Sequence, residues 1–125
     1  NGMLSYATAG HPSPIVLGGH SGNGIECEAR VLEGSGPCIG IMPAARFAQA
    51  QCMLRSPARL FVFSDGAYEI ARPGGGMLDL PDLMQTLAQP LAPGRSELDH
   101  VLQVAREVHG PGALEDDFTI IKLAL

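Results

Sequence analysis

LFVFSDGAYEI, residues Leu60 to Ile70, runs four apolar side chains into Ser64-Asp65-Gly66 and then returns to mixed polarity. A short apolar run closed by a turn dipeptide reads as a buried strand that ends abruptly. Taken alone, Asp65 is the polar half of a tight turn. A carboxylate held at a strand end is also where a binding site would place one. What stands beside it in the fold decides between the two.

With 125 residues the chain has room for one domain and too little for two separate cores. Its 46% apolar content calls for a packed core and excludes a disordered tail. A net charge of -5 argues against a nucleic-acid backbone as partner, which needs clustered Lys and Arg. Lys122 is the sole lysine, so a Walker-type phosphate loop and a Ser-Lys dyad are both excluded. No apolar run is long enough to span a membrane, and no basic-then-apolar leader opens the chain. Cys27, Cys38 and Cys52 form no Cys-x-x-Cys pair, and their odd number fits no closed disulfide set. They read as reduced, half-buried thiols of a cytoplasmic protein. None is followed six positions on by Arg, which removes the phosphate loop of cysteine-dependent phosphatases. The opening Asn1-Gly2-Met3 reads as a turn leading into a strand, and hence as the start of a fragment of a longer protein.

Period-2 patterning predicts strands over 3–10 and 15–17, joined as a hairpin across His11-Pro12-Ser13-Pro14. Residues 18–24 are a loop by composition. A strand over 26–32 would turn Cys27, Ala29 and Val31 inward, and further strands are expected over 49–56 and 58–64. From Leu80 the period changes. Leu80, Leu83, Met84, Leu87, Ala88 and Leu91 share one helix face, with Asp79 as cap, Pro81 in the first turn and Pro90 as stop. A second helix starts at Ser96, with Asp99 completing a short capping box, and Gly110 ends it. A β-branched strand closes the chain over 118–125. The order predicts an α+β fold with mainly antiparallel sheets and a packed helix pair.

If the strands 58–64 and 118–125 are antiparallel neighbours, Asp65 shares one rim of the sheet with Asp116 and Asp117. Hard cations such as Mg²⁺ and Mn²⁺ take oxygen ligands, a few carboxylates with water filling the rest. Gly66, lacking a side chain, would let a hydrated ion approach. Each acidic cluster by itself is also an ordinary turn or solvated loop. Glu69 reads as an outward-facing strand residue. His11, His20, His100 and His109 show no ligand spacing and are assigned to surface, turn or helix-end positions.

YATAGHPSPIVL (6–17), GPCIGI (36–41), LFVFSDGAYEI (60–70) and EDDFTIIKLAL (115–125), in that order and with a helix pair before the last, resemble the second half of the PPM-type serine/threonine phosphatases. The SpoIIE/RsbU branch is the most similar. Cys38 stands where that branch usually has Leu. The resemblance implies a β-sandwich flanked by helices, of which residues 1–125 form the C-terminal portion of a single domain, the family's first Asp-Gly metal motif lying upstream. It implies metal ligands at Asp65, Asp116 and Asp117, with Asp116 ranked ahead of its neighbour Asp117, and Gly66 near the site. The cofactors implied are two Mn²⁺ or Mg²⁺ ions in the complete domain, with a metal-activated water in place of a catalytic side chain. The substrate implied is a phosphorylated regulatory protein of the anti-anti-sigma type. A degenerate phosphatase fold serving as a partner-binding module is the alternative, and an unrelated β-rich binding domain a third. A domain without its first strands would also expose sheet edges and self-associate.

Overall fold

The computed structural model describes residues 2–18, 29–34 and 36–125. Among these residues, six strands, β1 (Gly2–Tyr6), β2 (Ile15–Gly18), β3 (Ala29–Val31), β4 (Ala50–Leu54), β5 (Ala58–Phe63) and β6 (Ile120–Ala124), accompany two helices, α1 (Leu80–Ala88) and α2 (Glu97–His109). The architecture is mixed α+β with two antiparallel sheets, as the sequence pattern leads one to expect. One sheet pairs β1 with β4, and the other has the order β3-β2-β5-β6. The chain divides into two compact units, Asn1–Val62 with Leu123–Leu125, and Phe63–Lys122.

In the first unit, β2 lies between β3 and β5, with Ile15 opposite both Val31 and Phe61. Ile15, Val16 and Leu17 are all buried, which is why this strand is an apolar run and lacks alternation. Phe61, Ala58 and Leu32 complete its core. The expected hairpin between the first two strands does not form. β1 pairs instead with β4, Met3 opposite Met53 and Tyr6 opposite Ala50. Two prolines and Gly10 at φ 75° turn the chain away between the strands, and both edges of β2 are taken by β3 and β5. Gly10 also donates its N–H to Gly36 O at 2.9 Å, and a Cβ there would collide with Cys38 Sγ. Ala29 and Val31 are half-buried and Arg30 exposed, as the alternation predicts, whereas Glu26, Cys27, Glu28 and the 19–24 loop with His20 lie outside the described residues.

The core of the second unit is Phe63, Ala67, Ile70, Leu83, Leu87, Val101 and Ala105, with α1 packed on α2. The α1 cap is a full capping box, in which Asp79 and Asp82 each accept from the other's backbone N–H. The α2 cap is half of one. Ser96 accepts from Asp99 N–H at 3.1 Å, but the Asp99 carboxylate bonds the Ser96 hydroxyl at 2.7 Å instead of its backbone. Glu97, in the first turn of α2, is buried and forms a 2.9 Å salt bridge to Lys122 on β6. The final strand begins at Ile120, two residues later than the pattern suggests, because Asp117 and Thr119 bond to a side chain before the ladder starts.

Candidate functional site

At the end of β5 the backbone is still extended at Ser64 (φ -77°, ψ 162°) and then folds into a single 3-10 turn, Asp65–Ala67. Tyr68 and Glu69 both donate their N–H to Asp65 O, at 2.9 and 2.8 Å. Gly66, Ala67 and Ile70 are buried, and Tyr68 meets Phe63 edge-on at 5.8 Å and 89°. These contacts anchor the turn while the Asp65 side chain stays exposed. Asp65 Oδ1 accepts from Gly66 N–H at 3.0 Å. Burial, then the neighbouring charges of Glu69 and Asp65, push the Tyr68 phenol above its ordinary value. Glu69 is exposed as expected, but it lies after the turn and not in a strand.

The 116–119 segment faces this turn. Ser64 donates its N–H to Thr119 O at 3.0 Å, and at the other end Ala58 and Leu125 exchange both backbone bonds, at 3.1 and 2.9 Å. β5 and β6 are therefore antiparallel neighbours, the condition on which a shared rim depends. The Ser64 hydroxyl donates to Asp117 O at 2.7 Å and accepts from Thr119 N–H at 3.0 Å. Asp116 Oδ1 accepts from Asp117 N–H at 2.7 Å, and both of these acidic residues are exposed. Gly66 is explained by this packing. A Cβ there would lie 2.6 Å from Asp117 O and 3.3 Å from Asp116 Cβ, so its missing side chain makes room for the facing loop.

The fold thus brings the Asp65 turn against the Asp116-Asp117 loop. Each of Asp65 and Asp116 accepts from the next backbone N–H through one carboxylate oxygen. Among the described residues, no group of three or more His, Cys, Asp or Glu is placed to hold a metal ion. The donor set is oxygen only and open to water, which fits a hydrated hard cation held through one or two carboxylates and not an all-protein cage. His11 contacts Pro12 O, His100 contacts Gln89, and His109 lies beside Gly110 O. Cys38 and Cys52 are free thiols. Sequence reasoning passed over Ser64, whose place directly before Asp-Gly was the available signal. It also passed over Glu97, which a helical pattern reads as a solvated first-turn acid.

The family model described as Stage II sporulation protein E (SpoIIE) matches residues 1–125, the whole chain. The chain belongs to the SpoIIE family. It is thereby a member of the SpoIIE/RsbU-like branch of the PPM lineage, a lineage of signalling modules. The chain is 27% identical over 122 residues to Protein IcfG of Synechocystis sp., an alignment that covers 97% of this chain and 18% of that protein. It therefore spans less than a fifth of that relative's length. No solved structure matches it significantly. Among the described residues, no helix is long and apolar enough to cross a membrane.

Proposed function

We propose that this SpoIIE-family chain is the C-terminal portion of a metal-dependent protein serine/threonine phosphatase domain of the PPM type, and that Asp65 and Asp116 are ligands of its metal site. The observation that carries the reading is the bonding of the 116–119 loop onto the Asp65 turn through Ser64, which places two exposed carboxylates on one sheet rim. Each carboxylate has one oxygen oriented by its own backbone. Asp117 contributes its main chain to the loop and neighbours the ligand. Mn²⁺ or Mg²⁺, two ions in the complete domain, would acidify a water for in-line attack on phosphorus and offset the charge of the phosphoryl oxygens. The substrate class is phosphoserine or phosphothreonine on a small regulatory protein of the anti-anti-sigma type, in the cytoplasm.

Two carboxylates supply only one side of a two-ion site, so the remaining ligands belong to the upstream motif of the complete domain. The second reading is a degenerate phosphatase fold that serves as a non-catalytic partner-binding module. The two part on one assay. Mn²⁺-dependent hydrolysis of a phosphoserine peptide by the complete protein, abolished by Asp65→Asn, supports the enzyme. A complete protein with no turnover at any Mn²⁺ concentration supports the module.

A further inference from the structure

A serine at the N-terminal flank of a helical turn ordinarily uses its hydroxyl to cap that turn. Ser64 does not, for its side chain makes no cap bond to the Asp65–Ala67 turn. Both capacities of the hydroxyl go across the rim instead, donating to Asp117 O at 2.7 Å and accepting from Thr119 N–H at 3.0 Å. These bonds fall ahead of the β6 ladder, which starts only at Ile120, and join the single backbone bond from Ser64 N–H to Thr119 O in holding the loop in register. On the near side, the Asp65 turn keeps its own backbone bonds from Ala67, Tyr68 and Glu69, none of which involves the hydroxyl. Gly66 lets the loop sit down on the turn, and the Ser64 hydroxyl fastens it there.

We infer that Ser64 is a positioning residue: its hydroxyl fastens the Asp116-Asp117 loop to the Asp65 turn and so sets where the two carboxylates meet. Its consequence for metal rests on the functional reading above; the fastening itself does not. Loss of the hydroxyl leaves Asp65 in place and keeps the Ser64 N–H bond to Thr119 O, but loosens the loop that carries Asp116, so the damage falls on the geometry between the carboxylates and spares the fold.

Hydrogen exchange in the metal-free complete protein tests the fastening. Ser64→Ala should raise exchange at the Thr119 amide about tenfold, the worth of one or two hydrogen bonds, with the α2 amides unchanged. Ser64→Thr, which keeps a hydroxyl, should restore protection. Gly66→Ala should raise Thr119 exchange from the other side, because its Cβ presses on Asp117 O, and it serves if Ser64→Ala fails to fold. Mn²⁺ affinity of the same variants tests the positioning, with about a tenfold loss expected in Ser64→Ala and recovery in Ser64→Thr. Unchanged Thr119 exchange in a folded Ser64→Ala overturns the inference. So does faster exchange with Mn²⁺ affinity untouched. A wild type that binds no Mn²⁺, while Ser64→Ala still frees Thr119, overturns the functional reading and leaves the fastening established.

Discussion

Asp116 folds its carboxylate back onto the next amide, whereas at Asp117 the main-chain carbonyl is what Ser64 holds. An alanine at 117 keeps that carbonyl, so Asp117→Ala should retain most of the Mn²⁺ affinity of the complete protein. Asp116→Ala should lose more than about tenfold, beyond what an outer-shell change costs. Calorimetric Mn²⁺ titration separates the two, and the reverse ranking would place the ligand one residue further on. Tyr68 gives a pH signature of the same rim. Its phenol is raised above 10.0 by burial, then by the charges of Glu69 and Asp65. The folded value exceeds the unfolded one, so the stability contributed by the neutral phenol is complete below about pH 10. It is lost as pH rises through the folded value. Ultraviolet titration should show a late tyrosinate that disappears in Tyr68→Phe and moves down in Asp65→Asn.

The starts of α1 and α2 and the end of α2 were legible because their determinants are local: Asp79 with Pro81, Ser96, Gly110 and a 3.6-residue apolar period; α1 stops at Ala88, which leaves Leu91, expected on its face, outside the helix. Strand partners were not. Whether β1 turns back on β2 or waits for β4 depends on which edges remain open after the sheet assembles, and the Gly10 and proline break between them reads equally as a hairpin turn or as a departure. The antiparallel β5–β6 rim was legible as a condition, from two apolar strands flanked by acids. The Ser64 bonds were not, because a hydroxyl that caps its own turn and one that reaches across a rim have the same sequence. Between α2 and β6, the buried Glu97 carries a salt bridge to Lys122 whose side chain is only 30% exposed. Lys122→Met should destabilise the domain by about 1–3 kcal/mol, because removing a partner from a largely buried pair costs more than at the surface. Urea denaturation would show it as a lower midpoint with an unchanged slope.

At the scale of the molecule, β6 ends the four-stranded sheet, and Ile121, Leu123 and Leu125 are 53%, 44% and 49% exposed. An edge strand with an uncovered apolar face pairs readily with another chain. The 125-residue chain by itself should therefore self-associate in sedimentation at high concentration, and Leu123→Lys should weaken that. A clean monomer at all concentrations would contradict it. The same chain should also show little or no phosphatase turnover, because two carboxylates cannot hold two mutually repelling cations close together without bridging anions. The central claim is that Asp65 and Asp116 hold a divalent cation between them, and Mn²⁺ titration of the complete protein followed by electron paramagnetic resonance tests it most directly. The account predicts saturable binding in the wild type, weakened more than about tenfold by Asp65→Asn and equally by Asp116→Asn; Mn²⁺ binding that neither substitution changes would contradict it.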